Sequence, residues 1–466
     1  MPSSAPPRLR TRLLRSRLLM VFAILGPGII AANADNDASG IYGYSLAGAQ
    51  YGSAMLWVLV LVTISLGVCQ EMGARMGVVT GKGLADLIRE EYGVKTTFFA
   101  MGVLLIANFA TTVSEFAGIT AAVQIFAPTV SHWLAVHIVA HIIGYPPERM
   151  LSPEWAQMAA RWIVVPLTAG GIWLLVTRSN YKRVEKFLLY ASVIYLAYIV
   201  SAFKAHPHWG DVLHQTLLPN TKGVVIDRLY LLAVINIIGT TITPWGQFYI
   251  QSSVRDKGDR IEDYAHRRID VLFGAFFTNL IAFFIIVCCG ATLFRVGMHS
   301  SDLKAMADRF GDAGQIAIAL KPVAGNLAAV LFAIGLFNAS CFGAITVPLS
   351  TAYAVSESLG SESGVGLRAR EAPMFVGVFT LLIFASAFAV LLVNDKYLSF
   401  LITLPNIVGA ALLPIILILS LRLVNNPRIM GKYTNSRPLN VIAWITTGVL
   451  VTLSVVLFIY NLMPGK

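Results

Sequence analysis

The sequence from residue 26 to residue 40 reads GPGIIAANADNDASG. It begins as an apolar membrane span, but its glycines and its proline are poor helix formers, and Asp35 and Asp37 bring charge where hydrocarbon is expected. A carboxylate at mid-bilayer depth costs at least about 2.5–3.5 kcal/mol, so it normally faces a polar cavity or a partner. Non-helical backbone at that depth survives only where protein or water satisfies its N–H and C=O groups. The stretch therefore predicts a membrane helix that is broken halfway, with a cation site at the break.

The composition is that of a polytopic membrane protein. The chain has 466 residues, of which 56% are hydrophobic and only 13% are charged, and its mean hydropathy is +0.71. The formal net charge of +11 does not indicate nucleic acid, because the basic residues fall in short loops between apolar runs, as the positive-inside rule predicts. The four cysteines lie in apolar stretches without a CxxC pair, so neither a disulfide framework nor a zinc site is predicted.

The N-terminus imitates a secretory signal. Several arginines precede an apolar run and the cleavage-like triplet Ala32-Asn33-Ala34. Cleavage there would remove half of the broken helix. We therefore expect a retained first span, preceded by a basic cytoplasmic tail formed by residues 1–17.

Eleven apolar runs are expected to cross the membrane. They cover residues 18–51 (broken), 54–76, 96–122, 162–177, 187–204, 229–253 (broken), 270–293, 322–355, 373–393, 398–421 and 439–462. With the tail in the cytoplasm, roughly twice as many Lys and Arg residues lie inside as outside. The prediction is an all-α, multi-pass protein of the cell membrane, with one transmembrane domain over residues 18–466, a cytoplasmic N-terminus and an external C-terminus.

The second broken run, residues 239–246, reads GTTITPWG and lies in the sixth span. Repeats of five spans, at about 18–205 and about 228–422, have opposite orientations in the membrane, and an eleventh helix at about 439–462 is left over. Interrupted helices at matching positions of two inverted halves indicate a midplane substrate site in secondary transporters. This arrangement is the LeuT-type architecture, although Gly and Pro in other membrane helices often produce only a kink.

Several motifs resemble the Nramp metal-ion transporters. The first is the glycine–proline–glycine at 26–28, followed nine residues later by Asp37. The others are residues 47–52, residues 74–85, Glu115 with Gly118, residues 428–431 and residues 435–440. The match covers nearly the whole chain beyond the basic tail. The resemblance implies a transporter with a divalent metal ion as its substrate and no cofactor.

Departures from the family's pattern resemble its magnesium-transporting branch. The usual first-helix Asp-Pro-Gly-Asn is DASG at 37–40, so the aspartate is kept and the asparagine ligand becomes Gly40. The usual sixth-span Met-Pro-His is TPW at 243–245, so a hydroxyl replaces a thioether. The usual third-span Asp-x-x-Glu is TVSE at 112–115, which keeps only the glutamate.

These replacements change which ion the site favours. Thioether and imidazole suit softer divalent ions, whereas carboxylate, carbonyl, hydroxyl and water suit Mg²⁺, Ca²⁺ and Mn²⁺. Mg²⁺ is usually bound through one or two carboxylates and keeps several of its waters. With Gly40 enlarging the cavity, we expect a wide site for hydrated Mg²⁺ that also accepts Mn²⁺.

The charge argument makes Asp37 the main partner of the ion, directly or through water. By resemblance, the backbone carbonyls of Ala34 and Thr240 are freed at the two breaks. The other residues expected to bind the ion or line the site are Asn36, Thr243, Asp35, Ser39, Gly40, Trp245 and Glu115. Two of these assignments stay open, because Asp35 is either a second carboxylate or a vestibule residue and Trp245 is equally typical of a packing aromatic.

Thr112 and Trp245 cannot titrate, so we expect facilitated movement of the ion without proton coupling. The alternatives are a proton-coupled Mn²⁺/Fe²⁺ symporter and an organic-amine or amino-acid carrier of the same fold. A scaffold or receptor is disfavoured by an intramembrane aspartate at a doubly broken core. The chain shows no P-loop and no G-x-S-x-G motif, so no enzyme is predicted. The expected partners are the ion and the lipid bilayer, without nucleic acid, and a monomer is the working expectation.

Other polar residues favour structural roles. Glu71 and Arg75 are spaced for an i, i+4 ion pair, and Asp270 and Asn279 are typical of helix-start or interhelical polar contacts. Two external groups of histidines lack the third strong ligand that a zinc site needs. They are His132, His137 and His141, and His206, His208 and His214.

Overall fold

The computed structural model describes residues 27–126, 153–219, 228–294, 313–393 and 397–462. Within these ranges the protein is helical and has no strand. The helices are α1 Pro27–Ala34, α2 Ala38–Tyr51, α3 Leu56–Thr80, α4 Leu84–Phe126, α5 Pro153–Arg178, α6 Tyr181–Ser192, α7 Leu196–Lys204, α8 Trp209–Leu217, α9 Arg228–Thr241, α10 Pro244–Lys257, α11 Tyr264–Leu293, α12 Ala313–Ser358, α13 Pro373–Leu392, α14 Leu398–Val424, α15 Pro427–Met430 and α16 Arg437–Leu462. The all-α prediction is confirmed.

The apolar helices agree in position with the predicted spans. Each of the eleven predicted runs overlaps a helix or helix pair of the described chain. By length and composition, eight described helices are suited to cross a membrane, or nine if a bent pair is one span. That pair is Leu412–Val424 with Pro427–Tyr433, which are bent by 59°. A multi-pass membrane protein is confirmed, whereas the count of eleven, the repeat boundaries and the orientation of the termini stay predictions.

The first span is broken, as its sequence predicts. Helix α1 ends at Ala34 and α2 begins at Ala38, with Asp37 as its N-cap in an extended backbone conformation. The carbonyls of Asn33 and Asn36 both accept hydrogen bonds from the Tyr195 hydroxyl, at 3.3 and 3.2 Å. A buried side chain of α6–α7 thus satisfies part of the broken backbone, as membrane depth requires.

The second break lies between α9 and α10. Thr243 is the N-cap of α10, because its Oγ1 accepts a hydrogen bond from the Gly246 N–H at 3.2 Å. Pro244 follows in the first helical turn, where its missing N–H costs nothing. The predicted break is confirmed.

The helices pack so that the two breaks face each other. Helix α9 contacts α2, and α10 contacts both α1 and α3. Helix α11 lies against both halves of the first broken helix, while α12 and α14 pack along α4. The four segments that meet at the breaks therefore enclose a common buried volume.

Asp270 ties α11 to the first broken helix. Its Oδ2 accepts the Gly28 N–H at 2.7 Å, and its Oδ1 accepts the Ile29 N–H at 3.2 Å. Arg267 donates to the same carboxylate at 2.5 Å. The predicted interhelical contact is confirmed for Asp270, but the helix-start role is wrong, since α11 begins at Tyr264. Asn279 instead donates to a carbonyl of its own helix.

The predicted ion pair at the end of α3 is confirmed. Arg75 Nη2 lies 3.0 Å from Glu71 Oε2, and both side chains are buried. Glu71 also accepts the Tyr264 hydroxyl at 2.6 Å, and Arg75 donates to the Tyr433 carbonyl at 2.8 Å. The pair joins α3, α11 and the segment before α16.

The cysteines are free thiols, in agreement with the prediction of no disulfide framework. Cys69, Cys288 and Cys289 are buried, and Cys341 is half-buried.

Candidate metal centre

Asp37 lies at the centre of the first break with its carboxylate buried. Its side chain is 2% exposed, its Oδ1 accepts the Gly40 N–H at 2.7 Å, and the Ser39 hydroxyl lies 2.7 Å from the same oxygen. Within the described chain Asp37 makes no ion pair with a basic side chain. A buried carboxylate with only neutral donors around it is a strong attractor for a cation.

Glu115 of α4 faces the same carboxylate. Glu115 is fully buried, and its Oε2 accepts at 3.2 Å the N–H of Ala38, the residue that follows Asp37. Two buried carboxylates at one break repel each other, and a bound cation would relieve that repulsion. Glu115 Oε1 has no hydrogen-bond partner among the described residues, so it retains a free acceptor.

The Ala34 carbonyl loses its helical partner at the first break. In a continuous helix it would accept the Ala38 N–H, but that N–H is bonded to Glu115 instead. At the second break the residue four positions after Thr240 is Pro244, which has no N–H to donate. The geometry thus frees both carbonyls that the sequence singled out.

A small cavity, the Asp37 cavity, lies where the two breaks and the helices α4 and α14 meet. Its lining residues are Asp37, Ser39, Ala107, Asn108, Thr111, Gly239, Thr243, Pro244, Trp245, Pro405, Asn406 and Gly409. The cavity volume is about 10 Å³, which is room for about one water molecule. The expected wide chamber is therefore absent from this conformation, in which the surrounding helices are closed on the site.

Three amide or hydroxyl side chains of this lining are not among the site residues assigned from the sequence. Asn108 and Thr111 lie on α4, and Asn406 lies beside Pro405 on α14. Asn406 Oδ1 is 2.8 Å from Ser39 Oγ, and its Nδ2 donates to Asn236 at 2.6 Å. A polar residue next to a helix-internal proline was the only signal for Asn406, and nothing in the sequence fixed the direction of its side chain.

Gly40 does not enlarge the cavity, contrary to the expectation from its size. A Cβ atom built at this position would lie 2.8 Å from the Asp35 carbonyl oxygen and 3.0 Å from Thr240 Oγ1. The volume that a side chain would take is thus occupied by these two groups. Gly40 allows the two broken helices to approach each other, and Gly40 is not among the residues that line the cavity.

Asp35 and Asn36 turn away from the Asp37 cavity. Asp35 accepts hydrogen bonds from Gln70 Nε2 and Thr243 Oγ1, each at 3.2 Å. Asn36 Nδ2 donates to the Thr278 carbonyl at 3.1 Å, and its Oδ1 has no partner among the described residues. Thr243 lines the cavity and also donates a hydrogen bond to Asp35.

Trp245 forms one wall of the cavity and is also a packing residue. Its side chain is 2% exposed, and its ring meets the Tyr249 ring edge-on at 6.3 Å between centroids. The Ser350 hydroxyl donates to the Trp245 carbonyl at 2.7 Å, which ties α12 to the start of α10. Trp245 therefore lines the cavity and packs against Tyr249, and its part in ion binding stays a prediction.

The donor set of the centre consists of oxygen atoms. Among the described residues, no group of three or more His, Cys, Asp or Glu side chains is arranged to hold a metal ion. His206, His208 and His214 belong to the part of the chain searched, whereas His132, His137 and His141 lie outside the described residues. At the breaks the available ligands are carboxylates, amides, hydroxyls and carbonyls, which are the ligands that hard cations prefer.

Comparison with known proteins matches most of the chain to one family. The family model described as "Natural resistance-associated macrophage protein-like" matches residues 28–145 and 155–460. The divalent metal cation transporter MntH of Erwinia tasmaniensis is 26% identical over 432 residues, covering 91% of both chains. MntH of Bacillus subtilis is 26% identical over 456 residues, covering 93% of this chain and 91% of the relative.

The fold is that of a solved transporter. The crystal structure of the Eremococcus coleocola manganese transporter, in complex with an aromatic bis-isothiourea substituted compound, superposes with a TM-score of 0.69. It covers 98% of this chain and 88% of that one at 18% identity. A mutant of the same transporter gives a TM-score of 0.70 at 17% identity.

Proposed function

This chain belongs to the natural resistance-associated macrophage protein-like family, and on that premise we propose that it carries a divalent metal cation across a membrane by alternating access. The observation that carries the proposal is the buried carboxylate of Asp37, which lies between two facing helix breaks and pairs with no basic side chain within the described chain. The printed function of the MntH relatives, divalent metal cation transport, supports it. The ion is the substrate, and the function requires no catalytic step.

We further propose Mg²⁺ as the favoured ion, with Mn²⁺ also accepted, as in the magnesium-transporting branch of the family. The support is chemical. Thr243 supplies a hydroxyl at the second break, and the described lining of the Asp37 cavity contains no sulfur or imidazole ligand. Oxygen ligands bind Mg²⁺ without discriminating against it, whereas a thioether would favour softer ions.

The small size of the cavity supports alternating access. Room for about one water molecule cannot hold an ion that keeps several waters, so the helices around the Asp37 cavity must separate when the ion enters or leaves. The elements that close the cavity are α4, α14 and the two helix breaks. Rigid movement of one set of helices against the other, around a fixed site, is the way in which such folds operate.

The proposed movement is not coupled to protons. The ion would move down its electrochemical gradient, and an inside-negative potential contributes about 4.6 kcal/mol per 100 mV for a divalent cation. Thr112 replaces the third-span acid of the family pattern, and Trp245 replaces a sixth-span histidine. We place the N-terminus in the cytoplasm and the C-terminus outside, and we propose that the chain functions as a monomer.

One observation favours a second candidate, a proton-coupled Mn²⁺/Fe²⁺ symporter. Asp37 and Glu115 place two buried carboxyl groups at the same break, and a symporter would hold there a proton that the bound cation displaces. Whether that proton crosses the membrane with the ion or returns to the same side decides between the two candidates.

Reconstituted vesicles test both parts of the proposal. Purified protein in vesicles is given an inward Mg²⁺ gradient, with one dye that reports Mg²⁺ and another that reports internal pH. The proposal expects Mg²⁺ entry without acidification and inhibition of Mn²⁺ uptake by millimolar Mg²⁺. Acidification that follows Mg²⁺ entry refutes the uncoupled mechanism, and Mn²⁺ uptake that is indifferent to Mg²⁺ refutes the ion preference. Vesicles with Asp37→Asn provide the matched control for leak.

A further inference from the structure

Asp35 occupies a second polar position, separate from the Asp37 cavity. Its side chain is 1% exposed and is absent from the lining of that cavity. Its two oxygens accept hydrogen bonds from Gln70 of α3 and Thr243 of the second break. Both donors are neutral, so the charge of this carboxylate, like that of Asp37, is not compensated by a basic side chain within the described chain.

Oxygen acceptors are available beside Asp35. Gln70 is 1% exposed, and the same amide that donates to Asp35 carries an Oε1 without a hydrogen-bond partner among the described residues. Gly246 lies near Asp35 and has no side chain; a Cβ atom built at Gly246 would lie 3.6 Å from Asp35 Oδ1. A buried amide oxygen without a partner is costly. Its position next to an uncompensated carboxylate indicates a ligand with positive charge.

The location of this pair suggests a direction of travel. Thr243 lines the Asp37 cavity and donates a hydrogen bond to Asp35, so it lies between that cavity and the Asp35 carboxylate. Gln70 lies on α3. Later on α3 the backbone at Gly77 lies close to the Gln251 carbonyl of α10, and Gln251 donates to the Lys82 carbonyl at 2.9 Å. Lys82 belongs to a basic loop that we place in the cytoplasm. Asp35 thus lies between the Asp37 cavity and the predicted cytoplasmic end.

We propose that Asp35, Gln70 and Thr243 form a second cation position, which the transported divalent ion occupies after it leaves Asp37. This inference rests on the proposed function, since it assigns a second station to the same substrate. Thr243 Oγ1 serves both positions, and the ion exchanges the carboxylate of Asp37 for that of Asp35 as it moves toward the cytoplasmic side.

Transport kinetics in vesicles test this assignment. The variants are Asp35→Asn, Asp37→Asn and the exchange variant Asp35→Asn/Gln70→Glu, which keeps one carboxylate and one amide in the same pair. Glu185→Gln, which removes a carboxylate paired with Lys257 away from the breaks, is the matched control. Mn²⁺ uptake is measured from the side predicted to be external, with the maximal rate and the half-saturating concentration determined separately.

The proposal expects Asp35→Asn to lower the maximal rate at least about tenfold. The half-saturating concentration should stay within about twofold, because entry to Asp37 is intact. Asp37→Asn should abolish saturable uptake. The exchange variant should recover part of the lost rate, because it returns one carboxylate to the pair; a purely structural role of Asp35 would instead lower the unfolding temperature of Asp35→Asn without the selective loss of maximal rate. If Asp35→Asn fails to fold, the test rests on the exchange variant: saturable Mn²⁺ uptake by that variant supports the second cation position, and its absence in a folded variant contradicts it.

Several results would overturn the inference. Wild-type kinetics in Asp35→Asn, or no recovery in the exchange variant, would show that the Asp35 charge is not a station for the ion. An equal loss of affinity in Asp35→Asn and Asp37→Asn would show a single shared site. If the Mn²⁺ uptake rate depends on Na⁺ in Asp35→Asn but not in wild type, the position would be assigned to a monovalent ion instead. Failure of wild-type uptake refutes the proposed function itself, which keeps the two failures distinct.

Discussion

Substitution of Gly40 by alanine tests how closely the two broken helices approach each other. The new Cβ would lie 2.8 Å from the Asp35 carbonyl oxygen and 3.0 Å from Thr240 Oγ1. Both distances are shorter than an ordinary van der Waals contact, so backbone at the first break has to move by a few tenths of an ångström. Overpacking of this kind costs about 1–3 kcal/mol. Gly40→Asn, which restores the asparagine of the family pattern, meets the same obstruction before its amide can reach an ion.

Gly102→Ala in α4 is the matched control, because nothing lies within 4 Å of a Cβ atom there. In a helix interior this change is favourable by about 0.5–1 kcal/mol. The assay is thermal unfolding of the detergent-purified protein, followed by Mn²⁺ uptake at a saturating concentration. We expect Gly40→Ala to unfold at a lower temperature than wild type and to transport more slowly, and Gly102→Ala to do neither. An unfolding midpoint of Gly40→Ala at or above that of Gly102→Ala would refute the close approach.

Three further changes have defined outcomes. Thr243→Met places a thioether at the second break, which favours softer ions. Compared with wild type, Mn²⁺ uptake by this variant should be inhibited more strongly by Cd²⁺ and less strongly by Mg²⁺. Inhibition by both ions that is unchanged from wild type would count against a ligand at this position. Asp270→Asn removes a buried charge that holds the Gly28 N–H and Arg267, and should destabilise the protein by about 3–5 kcal/mol; thermal unfolding no different from wild type would contradict this. Glu115→Gln removes the second buried carboxyl group at the first break. Uncoupled transport predicts that Mg²⁺ entry is independent of an imposed pH gradient in wild type and in this variant; a gradient that drives uptake only in wild type would support coupling through Glu115.

The sequence was sufficient to predict both helix breaks. Gly, Pro and Asp residues at mid-span are costly in a membrane helix, and two such runs at matching positions are informative without any knowledge of packing. The same reasoning located Asp37, because a charge at that depth needs a role. Local chemistry also predicted the Glu71–Arg75 pair, which depends only on helical spacing.

Contacts between distant segments could not be read from local patterns. The sequence suggested that Gly40 widens the site, but Thr240, two hundred residues later, occupies the space. The hydroxyl of Tyr195 donates to two carbonyls of the first break, and no sequence pattern near Tyr195 predicts this contact. The width of the cavity depends on how closely α4 and α14 approach, which is a property of the conformation and not of any one motif.

The most direct test of the central claim is calorimetric titration of Mg²⁺ and Mn²⁺ into the purified protein and into Asp37→Asn. The side chain of Asp37 is isosteric with that of the variant, so the fold should survive while the charge is lost. We expect wild type to bind both ions, and the variant to lose at least about tenfold in affinity for each, which corresponds to about 1.4 kcal/mol or more. Equal affinities in the two proteins would contradict a cation site at the broken helices.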